Sequence, residues 1–306
     1  MLYLLAAYVI ICILAFIFQR KLVFPGWGWG MQSSDPADVG LPTNKARNLE
    51  LMTEDGVQLG AWHILSDGKE TRDFDKALGD GSPVVLFFHG NGGHRAYRVD
   101  FYQAFNRAGC HVIAMDYRGF GDSKGKPSSE GLACDARAAW KWALDHGVKP
   151  ERIVLYGESL GCAVAVRLAQ EQSLAGTPPA GMALECPFAS LQSTARSLYW
   201  FLPVRLILRE SFPSDERIAD VTCPILVQHG RHDRVVRFKH GRQLFEVAPE
   251  RSAGGTPKRF VEYPNANHCD LLYVDPVKYD KELRAFLAVA CPQMADPEGH
   301  KAHEAK

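Results

Sequence analysis

The chain has 306 residues, with 35 basic and 35 acidic side chains, 46% hydrophobic residues and 23% charged ones. That balance excludes a disordered chain, which would lack the apolar content to bury a core, and it leaves no basic excess to neutralise a nucleic acid. Eight cysteines are scattered with no C-x-x-C pair and no metal-ligand spacing, so a reducing compartment is expected, with no metal and no cofactor.

Residues 2–18 carry neither a charge nor a proline. As a helix this run is roughly 25 Å long, enough for a bilayer core with flanking help. Arg20 and Lys21 follow it, and Trp27 and Trp29 lie just beyond, where interfacial aromatics gather. A cleavable leader would begin with positive charge and end in small residues, so residues 1–24 are expected to be an uncleaved single-pass membrane anchor. The positive-inside bias of Arg20 and Lys21 then puts the bulk of the chain in the cytoplasm. A linker rich in Gly, Pro, Asp and Ser is expected over 25–44.

Short β-rich runs then alternate with helical stretches over 45–291. Strands are expected at 49–53, 57–65, 84–89, 111–117, 152–156, 181–186, 225–229 and 259–263, and helices at 95–108, 129–146, 160–172, 239–247 and 276–290. Such alternation implies an α/β domain with a mostly parallel eight-stranded sheet covered on both faces. The first two strands are joined only by Glu-Asp-Gly, which predicts an antiparallel hairpin at one edge. The polar stretch 66–82 reads as a surface loop. Residues 187–222 break the alternation with many large apolar side chains and an interrupting Pro203, as a lid or cap does. From 292 onward a polar, frayed tail is expected, with His300 and His303 solvated.

The motif Gly157-Glu-Ser-Leu-Gly161 closes the strand Arg-Ile-Val-Leu-Tyr and opens an apolar, alanine-rich helix. A serine on so sharp a strand-to-helix turn is lifted above the carboxyl edge of the sheet, and the glycines on either side avoid collision at the bend. Ser159 is therefore a candidate nucleophile, and it needs a base and a group to orient that base. Asp233, just past one strand, and His268, in the loop after the last strand, supply both in the order Ser, Asp, His. His229 lies inside a strand, His232 competes with Asp233 for one turn, and His240 begins a helix. Asp220, Asp270 and Asp275 sit before a strand or beyond the histidine. After the strand Val-Val-Leu-Phe-Phe-His-Gly comes Asn-Gly-Gly-His, a loop whose amides can face a developing oxyanion, and the backbone N–H groups of Asn91 and Leu160 are the candidates. A dinucleotide-binding reading of this loop is a poor second, because G-x-G-x-x-G is missing and no acidic ribose partner is correctly placed.

In this order, HGNGG, DYRGFGDSKG, YGESLG, HGRHDRVV and NANHCD resemble the α/β-hydrolase superfamily. With the N-terminal anchor and Arg-Lys-Leu-Val-Phe-Pro, the chain is similar to membrane-anchored α/β-hydrolase-domain proteins, serine hydrolases related to lipid esterases and protein depalmitoylases. The resemblance implies the α/β-hydrolase fold, Ser159 as nucleophile, Asp233 as acid, His268 as base and the two N–H groups as oxyanion hole. Asp116 and Arg118, in a shared loop, are read as structural. Cys162 stands where many relatives have glycine, and the cysteine cluster of the depalmitoylase branch is missing.

The expected activity is hydrolysis of lipid-like acyl esters through an acyl-enzyme. Leu198, Trp200, Phe201, Leu202 and Leu206 of the cap are candidates for lining an acyl pocket, or else simply cover the core. A thioesterase, a peptidase and a catalytically silent binding module on the same fold are the alternatives.

Overall fold

The computed structural model describes residues 1–71 and 73–292, so the tail with His300 and His303 lies outside the described residues. Helix α1 (Leu2–Val23) precedes the strands β1 (Ala46–Met52) and β2 (Gln58–Ile64), and α2 (Phe74–Leu78) leads to β3 (Val84–Phe88). Then α3 (Val99–Arg107), β4 (His111–Met115), α4 (Ser129–Asp145), β5 (Ile153–Glu158), α5 (Leu160–Leu174) and β6 (Gly181–Glu185) alternate. The cap holds α6 (Leu191–Leu198), α7 (Val204–Ile207) and α8 (Ser214–Arg217). After it come β7 (Ile225–Gly230), α9 (Phe238–Val247), β8 (Arg259–Tyr263), α10 (Leu271–Val274) and α11 (Pro276–Ala290).

All eight expected strands form one sheet in the order β1-β2-β4-β3-β5-β6-β7-β8. β1 and β2 pair antiparallel, from Ala46 opposite Ile64 to Met52 opposite Gln58, and β2 runs antiparallel to β4. The remaining pairs are parallel. Side chains of successive strand residues point to opposite faces, which divides the core in two. On one face Val84, Leu86 and Phe88 of β3 pack with Leu132 of α4 and Val164 of α5. On the other, Val85 and Phe87 pack with Phe101 and Phe105 of α3 and Leu283 of α11. Strand order reverses between β4-β3 and β5, and ligands of open α/β sheets bind at the carboxyl ends beside such a switch.

Two segments differ from expectation. The stretch 66–82 is not a bare surface loop: Phe74 and Leu78 of α2 are buried, and Asp73 caps the helix by accepting from Lys76 N at 3.1 Å. A helix of one turn leaves too short a periodic signal to be read among polar neighbours. The segment 25–44 is packed against the domain. Trp62 Nε1 donates to Ser34 O at 2.8 Å and Leu41 is buried. Phe24, at the end of α1, is wholly buried against Phe212 of the cap.

Asp116 and Arg118 are structural, as expected. Asp116, fully buried after β4, accepts from Arg95 N at 2.6 Å and Arg95 Nη1 at 2.5 Å. The same guanidinium holds Asp122 at 2.6 and 2.8 Å and lies over the Trp62 ring. Arg118 bridges buried Asp135 at 2.7 Å and Asp55 at 2.7 and 2.9 Å. Breaking a buried pair from one side strands the other charge. Arg95→Met is therefore expected to destabilise the fold by about 3–5 kcal/mol, read from denaturant unfolding. A change under about 1 kcal/mol, the size of an exposed pair, would show the network to be dispensable.

Candidate active site

Ser159 sits where β5 gives way to α5. Its φ is +52°, a left-handed conformation that costs a non-glycine residue energy and that tertiary structure must hold. The hold is visible: Ser159 N donates to Glu185 O at 2.9 Å, and Cys162 N donates back to Ser159 O at 3.0 Å. A Cβ on Gly161 would come within 1.9 Å of Phe88 O, and one on Gly157 within 2.5 Å of Gly161 O. Neither glycine tolerates a side chain, because strand β3 and the first turn of α5 occupy that space. Cys162 is buried against Gly157 O and Glu185 O at 3.1 and 3.2 Å, so a small side chain serves there.

The three candidate residues, from three different strand ends, meet. His268 Nε2 lies 2.9 Å from Ser159 Oγ, and His268 Nδ1 lies 2.7 Å from Asp233 Oδ2. An ionised carboxylate only accepts, so Nδ1 carries the proton and Nε2 is left to accept from the serine hydroxyl. The other oxygen, Asp233 Oδ1, accepts from Val235 N and Val236 N, each at 2.8 Å. Burial alone would raise the Asp233 pKa, but the hydrogen bonds from His229 and His268 outweigh it and hold the carboxyl well below its usual range.

His229 has a part that its position within a strand concealed. Its Nε2 is 2.9 Å from Val236 O and 3.2 Å from Asp233 Oδ2, so its one proton is held by the Val236 carbonyl and also faces the acid. The other competitors are occupied elsewhere or turned away. Asp270 accepts from Asn267 N, Asp275 caps α11, Asp220 accepts from Gln170, His232 is exposed, and His240 is buried in α9.

Cys186 directly follows β6 and is fully buried. Its Sγ accepts from Cys269 N at 3.4 Å, and Cys186, His268 and Cys269 bring their polar side-chain atoms within 4.8 Å of one another. Both Cys186 and Cys269 have left-handed φ, +53° and +54°. The signal that could have found Cys186 is its place at a parallel strand's carboxyl end, the same edge that supplies the serine. Burial disfavours charge on His268, but the hydrogen bond it donates to Asp233 and the nearby Cys186 Sγ outweigh it and its pKa is raised. A general base works only when neutral, so turnover rises with pH through that raised value. Cys186→Ala removes one of the groups holding the proton. Its kcat/KM profile against an ester is expected to shift to lower pH, and an unmoved profile would detach Cys186 from the imidazole.

Leu160 opens α5, so its N–H is one of the first-turn donors a helix leaves without an intrahelical partner. Across from it, the loop after β3 is pinned from outside. Asn91 Nδ2 donates to Val23 O at the end of α1, and a Cβ on Gly26 would press within 2.6 Å of Asn91 O. Glu158, beside the serine, is clamped by Arg98 at 2.6 and 2.8 Å.

The cap residues expected to line an acyl pocket do not enclose one. Trp200 and Leu206 are 83% and 82% exposed, and Leu198 and Phe201 are exposed as well. Trp200, Leu202 and Leu206 border an open groove of about 610 Å³ lined by cap residues only. Pattern reading recognised apolar side chains but had no means of telling inward from outward on helices this short.

A family model described as "Serine aminopeptidase, S33" matches residues 80–214. An uncharacterised protein of Mycobacterium tuberculosis is 37% identical over 271 residues, 88% of this chain and 87% of the relative. Lysophosphatidylserine lipase ABHD12 of Danio rerio is 32% identical over 274 residues, covering 81% of this chain and 71% of the lipase. The chain belongs to the α/β-hydrolase family that includes ABHD12. Among solved structures, an esterase of Pyrococcus furiosus aligns with TM-score 0.62 at 24% identity over 83% of this hydrolase and 93% of the esterase. An alpha-beta hydrolase of Vibrio vulnificus aligns with TM-score 0.68 at 18% identity, over 87% and 91%. At these identities the structures speak for the fold, which is the α/β-hydrolase fold. With its lipase relatives and the matching family model, the hydrolase is a serine hydrolase of carboxylic esters.

Proposed function

We propose that this hydrolase removes acyl chains from single-chain phospholipids and related lipid esters at a membrane to which α1 anchors it. The continuous contact from Ser159 Oγ through His268 to Asp233 carries this reading. Ser159 Oγ attacks the ester carbonyl as His268 Nε2 takes its proton, Asp233 steadies the imidazolium, and the oxyanion forms against the N–H groups of Leu160 and Asn91. Collapse breaks the carbonyl–alkoxide bond, His268 returns its proton to the departing alcohol, and water releases the acyl group from Ser159 by the same steps.

The lipid substrate class is supported by the named activity of the ABHD12 relatives and by a helix, Leu2–Val23, long and apolar enough to cross a membrane. Arg20 and Lys21 favour a cytoplasmic catalytic domain, which protease protection on inverted vesicles checks. A peptidase of the kind named by the family model needs a carboxylate for the substrate's α-ammonium, and the one beside the serine, Glu158, is already neutralised by Arg98. The full-length hydrolase in mixed micelles is expected to cleave lysophosphatidylserine and other lysophospholipids faster than acyl thioesters or aminoacyl amides. Preference for the amides would replace this reading with aminopeptidase activity.

A further inference from the structure

Residues 201–210 of the cap run alongside α1 in the same direction. Near the end of α1, Arg20 Nε pairs with Glu210 at 3.1 Å and Gln19 Oε1 accepts from Arg209 N at 2.7 Å. One turn earlier, the Arg209 guanidinium lies over the Phe16 ring at 4.2 Å. Farther towards the N-terminus, Tyr8 Oη donates to Phe201 O at 2.8 Å. From Gln19 to Tyr8 the helix climbs about 16 Å, close to half of a bilayer core about 30 Å thick. If α1 crosses the bilayer with Gln19 and Arg20 at its surface, Phe201 lies near the midplane.

The tip of the cap is built as that position demands. Residues 198–208 include one ionised side chain, Arg205, whose long stem can carry its charge towards the headgroups. Lipid supplies no hydrogen bonds, so backbone groups there must satisfy themselves. The N–H groups of Tyr199, Leu202, Val204, Leu206, Ile207 and Leu208 donate to carbonyls within the cap and Pro203 has no N–H to satisfy, while those of Trp200, Phe201 and Arg205 make no such bond. The Phe201 carbonyl takes the Tyr8 hydroxyl, which removes a polar group from each partner in one bond. Meanwhile the large apolar side chains Leu198, Trp200, Phe201 and Leu206 face outward. In water this surface would cost free energy at every one of them. It is continuous with α1, whose side chains are exposed in the same way.

We propose that residues 198–208 form a re-entrant tip that enters one leaflet beside α1, so that the hydrolase meets its acyl ester from within the bilayer. The occupant of the apolar surface is lipid acyl chain. The proposal rests on α1 being a membrane anchor, and it holds whichever ester is cleaved.

The test uses the full chain in vesicles of phosphatidylcholine and phosphatidylserine whose acyl chains carry bromine either near the ester or near the methyl end. Trp200 is one of six tryptophans, so its emission is isolated as the difference between the wild type and Trp200→Phe. A second reporter, Leu206→Trp in the Trp200→Phe background, reads a neighbouring position. Flotation at alkaline pH reports the anchor, and fluorophosphonate labelling reports the hydrolytic site. Loss of most of the Trp200 emission to brominated lipid, with little loss to aqueous iodide, is the expected result. Quenching by iodide and not by bromine, in a chain that floats, overturns the tip while leaving the anchor standing, and would assign the surface to water or a protein partner. A chain that fails to float overturns both. In either case labelling of the serine tells separately whether the hydrolase reading survives.

Discussion

Ser159→Ala is expected to lower kcat towards an acyl ester by roughly a millionfold, because the three side chains act as one unit and the hydroxyl is the atom that bonds to substrate. The change leaves the turn intact. Ser159 is held by its backbone, through Glu185 O and Cys162 N, and its hydroxyl has His268 as partner. Alanine also meets the same left-handed φ as the serine it replaces, so the strain is the same in both. Unfolding midpoints should therefore stay near those of the wild type while turnover and fluorophosphonate labelling vanish. Turnover within a hundredfold of the wild type would remove Ser159 from the chemistry.

Asp233→Asn is expected to cost on the order of 10⁴ in kcat, although it is nearly isosteric. Oδ2 faces two imidazole donors, His268 Nδ1 at 2.7 Å and His229 Nε2 at 3.2 Å, while Oδ1 faces two backbone N–H groups. Four donors surround one acidic group. An amide in its place must aim its NH₂ at one pair or the other, and whichever orientation it takes sets donor against donor. With the oxygen kept on the backbone side, His268 is driven to the tautomer with its proton on Nε2, where it cannot accept from Ser159. Steady-state kinetics with a soluble ester would measure the loss, and a fall of less than tenfold would show that His268 is oriented by something else. His229→Phe, which removes only the second donor, should have a much smaller effect on kcat.

These expectations rest on parts of the molecule that differ in how far sequence alone discloses them. Period-2 and period-3.6 patterns exposed the eight strands and the main helices, because a strand buried on both faces must be apolar throughout and a crossover helix must be apolar on one side. The serine turn was legible for a steric reason: only glycine at 157 and 161 lets β3 and α5 approach so closely. The choice of Asp233 and His268 came from their places after strands, and the distances bring those two side chains into line with the serine.

What sequence left open depends on contacts between residues far apart in the chain. Cys186 and His229 lie in apolar strands and look like core. Only the fold sets Cys186 beside His268, far along the chain, and only the bend after β7 turns His229 towards Asp233 four residues on. Residues 25–44 look like a linker, because Gly and Pro report local flexibility and say nothing of Trp62 or Asn91 waiting to receive them. The cap is the sharpest case. Its composition declared apolar surface to be buried somewhere, and sequence had no way to say whether the core or the bilayer would take it. Its alignment along α1, residue 201 beside residue 8 and residue 210 beside residue 20, is what supports the bilayer, through the depth proposed for it. Local chemistry thus determined which groups can react and which stretches must leave water, and the fold alone determined what each of them faces.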